Sequence, residues 1–341
     1  MKVITKDFIT NVLSKDNAAC ASIRSGETVV FETYDCFTNQ FLPEKATFEN
    51  VVRKPGNPAT GPLYIEGAMP GDMLRIEILD IELGPVGIVM LGPGSGSERT
   101  EFPEKILKRV PVKDGKAYYD GKVEIPVEPM IGVIGVAPAA EGVSTITPMD
   151  HGGNMDCTQI KKGAVLYLPV FVEGGLLSMG DFHAIMGDGE VEDCGLEIEG
   201  RATVHVDVVR NQYCVPYPMI ETEDRLITIA SAEDVEGAWR AATRQMFDFM
   251  REKIGMSVSD AGMLLTMTGS LIICQTVNPM KTVRMELPRY ITKGYGFLFY
   301  LFTKKHSITS FLFIITYSIS KVNYCSINLH HLQILTTQFV I

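Results

Sequence analysis

The sequence predicts a mainly β protein with a small C-terminal α+β unit, on three observations. Turn residues cut the first 140 residues into short apolar segments. The longer segments alternate apolar and polar side chains with the period of a half-buried strand. Sustained helical spacing first arrives beyond residue 230.

Taken in order, Glu27–Thr33 (ETVVFET) follows Gly26 and reads as a strand. Pro62–Glu66 leads into a Pro70-Gly71 turn and then MLRIEILDIEL, with Leu74, Ile76 and Ile78 on one face and Arg75, Glu77 and Leu79 on the other. The Gly- and Pro-rich stretch from Gly84 to Gly96 reads as a long loop. Lys116–Ile125 resembles a hairpin turning at Asp120-Gly121. Ala164–Val172 is an apolar strand, and 202–209 (ATVHVDVV) places Val204, Val206 and Val208 on one face. Ser231 is the expected N-cap of a helix, with Glu233, Asp234 and Glu236 favouring its positive end. Val235, Ala238, Trp239, Ala242, Met246, Phe249 and Met250 recur at helical spacing, and Gly255 closes the run. A second helix after Ser259 and a strand over Lys281–Leu287 complete a strand–helix–helix–strand unit.

Residues 298–341 differ in kind. They hold no Gly, Pro, Ala, Asp or Glu, and Lys304, Lys305 and Lys321 are their only charges. Their apolar runs are too short for a membrane anchor, and the composition suggests sequence foreign to the preceding domain. The expected organisation is an N-terminal β domain over 1–140, the site motifs and α+β part over 141–297, and this atypical tail.

The formal net charge of -10 speaks against nucleic acid or an anionic membrane surface as partner. Seven cysteines without a CxxC pair predict reduced thiols in the cytoplasm. The N-terminal segment carries Asp7 and Asp16 and no apolar run, unlike a signal peptide. The binding loops have no nucleotide fingerprint of the GxGxxG or GxxxxGK[ST] type.

Chemistry concentrates in MDHGGNMDC (149–157) and GDFHAIMGDGE (180–190). Acids, histidines and an asparagine crowded among small residues are costly to bury unless paired or bound to a metal. In an extended segment Asp181 and His183 share a face and could supply two ligands to a divalent metal, with His151, Asn154 and Asp156 converging on them. Asp188 and Glu190 form a second acidic pair, though Asp188 between two glycines also suits a tight turn. Cys157 is a rival nucleophile that would need a base within reach. Glu32 and Asp35 read as a solvated strand edge, and His205 as structural.

HGGNMDC and the stretch LPVFVEGGLLSMGDFHAIMGDGEV resemble the central signature of the acetamidase/formamidase family. GPLYIEGAMPGDMLRIEI, PMIGVIGVAPA, SAEDVEGAWRAATRQM and NPMKTVRMELPRY are similar to its other segments, so the resemblance spans about residues 5–297. It implies a β-sandwich and barrel-like body, hydrolysis of small linear amides such as formamide or acetamide, a bound zinc or calcium, and a homo-oligomer. On that basis Asp156, Asp181, His183 and Asp188 are the expected metal ligands, with His151 a further one or a catalytic group. Glu190 is the expected general base and Asn154 the oxyanion donor. The alternatives are a metal-stabilised binding protein without turnover and a Cys157-dependent amidase.

Overall fold

The alternating segments become neighbouring strands. Leu74, Ile76 and Ile78 on strand Met73–Leu83 are fully buried, as are Val204 and Val206 on Gly200–Val209. The two strands pair antiparallel from Gly200 opposite Leu83 to Val209 opposite Met73, which lays their apolar faces side by side. Glu27–Thr33 joins the far side of Gly200–Val209, and Val165–Pro169 the far side of Met73–Leu83. The computed structural model describes residues 1–52, 56–96 and 102–297, and in it this ladder grows to a nine-stranded sheet.

A second sheet of eleven strands is built around Leu177–His183. Met130–Gly135 runs along one side of that strand. The other side is shared: Ala59–Glu66 pairs up to Gly180, and Glu197–Ile198 takes over at Phe182. Asp181 falls at the change of partner. The apolar faces of the two sheets meet in one core, with Phe31, Leu74 and Val204 from the first and Ile65, Ile131 and Met179 from the second. The body is therefore mainly β, as the turn-rich sequence predicts.

The C-terminal unit adds Arg225–Ala232, Ser270–Gln275 and Lys281–Pro288 to the edge of the first sheet and packs helix Val235–Asp248 against them. Its N-cap is Asp234, whose carboxylate accepts from the Gly237 amide. Ser231 is still in the strand, its hydroxyl paired with Thr282, because the ladder continues to Ala232 and the cap falls three residues later than the charge pattern suggests. The helix buries Ala238, Ala242 and Met246. Trp239 lies half-exposed with the Arg240 guanidinium 4.9 Å from its ring, so it is not part of the core stripe. The second helix spans Val258–Thr268 behind a Ser257 cap.

Two further expectations are corrected. The glycine-rich stretch 84–96 contains strand Val86–Leu91, which pairs with Ile106–Lys113; Gly87 is needed there because a Cβ would strike Leu196 at 2.7 Å. The boundary expected at residue 140 does not divide the sheets, since strands from both sides of it interleave in each, and Met1–Phe297 forms one compact unit. The tail at 298–341 lies outside the described residues.

Candidate active site

At the partner change in the second sheet, Asp181 adopts φ +57, which a side-chain-bearing residue rarely takes. Asp156 (φ +44) and Glu190 (φ +43) do the same. Three acids held in left-handed backbone at one place mark stored strain of the kind found at functional sites. Gly132, on the neighbouring strand, leaves the room they occupy: a Cβ there would lie 2.6 Å from Asp156 Oδ1 and 3.0 Å from Asp181 Oδ2.

These acids gather about His183, which is fully buried. Its Nε2 lies 3.0 Å from Glu197 Oε1, 3.8 Å from Asp181 Oδ1 and 4.0 Å from Asp156 Oδ1. Asp156, His183 and Glu190 form one group with ligand atoms mutually within 4.8 Å, and Cys36, Asp181 and Glu197 form another. Each aspartate is held by one oxygen. Asn57 donates to Asp181 Oδ2 at 2.7 Å, and Asn278 donates to Asp156 Oδ2 at 2.6 Å. Their Oδ1 atoms, together with Glu190 Oε2, Glu197 Oε2 and His183 Nε2, are buried without a hydrogen-bond partner.

The electrostatics follow from this crowding. Burial raises Asp156 to about 6 and Glu197 to about 8, and pushes Glu190 well above the usual carboxylate range with help from Asp156. Burial alone would lower His183, but Glu197 and Asp181 beside it hold its pKa well above the ordinary value. Asp35 is buried as well, not on a solvated edge; burial raises it to about 6 although the Asn39 and Phe37 amides donate to it. Among the described residues, no lysine or arginine pairs with any of these five acids.

The remaining expected site residues fall elsewhere. Asp188 is engaged by Arg284, which donates to both its oxygens at 2.6 and 2.9 Å, while Thr158 adds a third bond. Burial would raise its pKa, but the guanidinium holds it below the ordinary value. Asp188 is thus an anchor for the loop before Glu190 and not a member of either group. His151 is buried with Nε2 unpartnered, and burial lowers it to about 4, yet it joins neither group. Asn154 exchanges hydrogen bonds with Asn278, donating at 3.2 Å and accepting on its backbone oxygen at 3.0 Å. Cys157 is fully buried, with Cys274 and Arg284 the side chains that act on its thiol most strongly after burial itself.

Cys36, Asn57, Glu197 and Asn278 were not singled out from the sequence. Glu197 alternates with Leu196 and Ile198 and is followed by Glu199, the pattern of a solvated strand face, so its burial is not legible from the sequence. Asn278 opens the NPMKTVRM segment, and its backbone amide and that of Val277 donate to Gln275 Oε1. Nothing local in the sequence points to Cys36 or Asn57, which approach only when the strands fold together.

Known proteins resemble this chain in sequence and in fold. The family profile that matches is the Acetamidase/Formamidase family, over residues 4–141 and 137–280. A formamidase from Methylophilus methylotrophus is 27% identical over 225 residues, which cover 48% of this chain and 54% of that protein. The chain therefore spans about half the length of that curated relative. The structure of an acetamidase from Bacillus halodurans superposes with a TM-score of 0.84 at 41% identity, covering 86% of this chain and 100% of that one. A predicted acetamidase/formamidase from Thermoanaerobacter tengcongensis gives 0.85 at 39% identity, covering 87% and 99%.

Proposed function

The chain belongs to the acetamidase/formamidase family, and from that premise we propose that it hydrolyses the C–N bond of small linear amides to a carboxylate and ammonia at the Asp156–Asp181–His183–Glu190 cluster. The observation that carries this reading is the convergence of buried acid oxygens on a single imidazole, with no lysine or arginine paired to them among the described residues.

That donor set fits a divalent cation. Asp156, Asp181 and His183 would hold it, with Glu197 and Cys36 grouped beside Asp181. An imidazole at the centre of the donor set, with a thiol in the neighbouring group, favours zinc over calcium, which takes oxygen ligands alone. When bound, such an ion acts as a Lewis acid that makes an amide carbonyl more electrophilic and water easier to deprotonate. The chain's own residues do the rest. Glu190, desolvated and raised in pKa, accepts the proton of the attacking water at Oε2 and returns it to the departing amine. Asn57 and Asn278 fix one oxygen of each aspartate, so the other keeps its direction. Asn154, already tied to Asn278, would orient that amide rather than donate to the substrate. Arg284 holds Asp188 and with it the turn that presents Glu190.

Ammonia release from formamide and acetamide, measured beside elemental analysis of the same preparation, tests the reading. Turnover should track the content of bound ion. A fully metal-free preparation that keeps its rate would overturn the role of the cation. Absence of ammonia from any amide, with the ion bound, would leave a metal-stabilised binding protein instead. Among the described residues no helix is long and apolar enough to cross a membrane. The six described cysteines are all free, which supports placing the protein in the cytoplasm; a homo-oligomer rests on the family likeness alone.

A further inference from the structure

Glu190 belongs to the cluster and also lines a hollow of about 370 Å³ on its outer side. Gly195 bounds the same hollow and backs onto the His183 ring, where a Cβ would lie 2.7 Å from Nδ1. One glycine thus separates the hollow from the imidazole. Its other walls are mostly apolar and come from distant parts of the chain: Val89, Tyr119, Ile125, Ile185, Val191 and Leu196. Acetamide would offer this surface a single methyl group and formamide none. Pockets of about 300–1,000 Å³ accept drug-sized ligands, so the hollow has room for much more.

Resting on the amidase reading above, we propose that the hollow receives the acyl chain of the substrate, so that the preferred substrates are primary amides with an apolar acyl group of several carbons. The reaction is unchanged in its balance. Water adds to the carbonyl, the C–N bond breaks, and the products are the longer carboxylate and ammonia. What changes is where binding energy comes from. Each methylene moved from water into the hollow raises kcat/KM, by roughly fourfold where it is fully buried. The carbonyl end stays beside Glu190, the one polar side chain shared by the cluster and the hollow.

The test is a series of formamide, acetamide, butyramide and hexanamide with the metal-loaded full chain, read as ammonia release. The ratio of kcat/KM for hexanamide to acetamide should exceed about tenfold, and Ile125→Trp or Val191→Trp, which fill the hollow, should bring it toward one. A ratio cancels any loss of folded protein. If kcat/KM is flat or falls beyond acetamide, or both variants keep the wild-type ratio, the assignment of the hollow is wrong while the amidase reading stands. If no amide yields ammonia, the amidase reading fails. The hollow is then judged by ligand-observed NMR: saturable hexanamide binding that Ile125→Trp abolishes supports it, and its absence overturns it.

Discussion

Two polar clusters on the sheets meet their charge differently: one pairs its carboxylates with an arginine, and the other has no lysine or arginine partner among the described residues. On the first sheet Arg75, 6% exposed, donates to Glu77 at 2.9 Å and to Asp207 at 3.1 Å, while His205 lies 3.4 Å from Asp207 and 3.1 Å from Thr28. Its residues keep ordinary strand backbone, and both carboxylates reach water. At the second sheet four acids, Asp156, Asp181, Glu190 and Glu197, gather about one histidine, three of them in left-handed backbone and each with one buried oxygen left without a hydrogen bond. A buried charge must be paired, neutralised by a proton, or bound to an ion. The first cluster uses pairing and is structural. The second needs protons or a cation, and that need distinguishes it as the site.

The contrast is sharpest under substitution at the second cluster. Asp181→Ala and His183→Ala should each abolish bound ion and lower kcat/KM by about 10³-fold or more, since several kcal/mol of transition-state stabilisation go with the cation. Circular dichroism checks that the sheets persist. Asn57→Ala, which frees one Asp181 oxygen, should weaken ion binding by about 10- to 100-fold without removing it. Full ion content and rate in Asp181→Ala would break the comparison.

A smaller effect follows from the protons. In the metal-free protein Asp35 and Asp156 are raised to about 6 and Glu197 to about 8, and His183 is raised as well. For each, the native state binds protons that the unfolded state releases, so stability falls as pH rises. The loss begins near the ordinary carboxylate values, about 4, and continues to about 8. A bound cation replaces those protons and competes better as they leave. The gap in Tm between loaded and chelated protein should therefore widen from pH 5 to pH 8 in a thermal scan. A constant gap would mean that the cluster is already neutralised by other groups.

How much of this is legible in the sequence depends on the range of the interactions. Period-two alternation identifies the strands carrying Leu74–Ile78 and Val204–Val208, because burial of one sheet face imposes it locally. It misses Val86–Leu91, where Gly87 is demanded by Leu196 across the sheet. Asp181 and His183 are visible as a pair two residues apart. The strand is not regular between them, however: Asp181 takes left-handed backbone at a change of partner that no local pattern encodes. Asp188 and Glu190 look alike in sequence. Arg284, distant in the chain, takes the first and leaves the second to the site.

The smallest effect tests the other half of the comparison. If the Arg75 cluster is only structural, Arg75→Met should leave ion content and amide turnover per folded molecule unchanged and cost stability alone. Breaking a fully buried pair costs about 3–5 kcal/mol, because the remaining charge is stranded. Here Glu77 and Asp207 keep 27% and 32% of their side-chain surface in contact with water, so they can be solvated once the guanidinium is gone. His205 also remains beside Asp207. The expected loss is therefore about 2 kcal/mol, read from denaturant midpoints at unchanged slope. A changed ion content would show that the two sheets are coupled through the shared core, and that balancing charge at one cluster matters to the other.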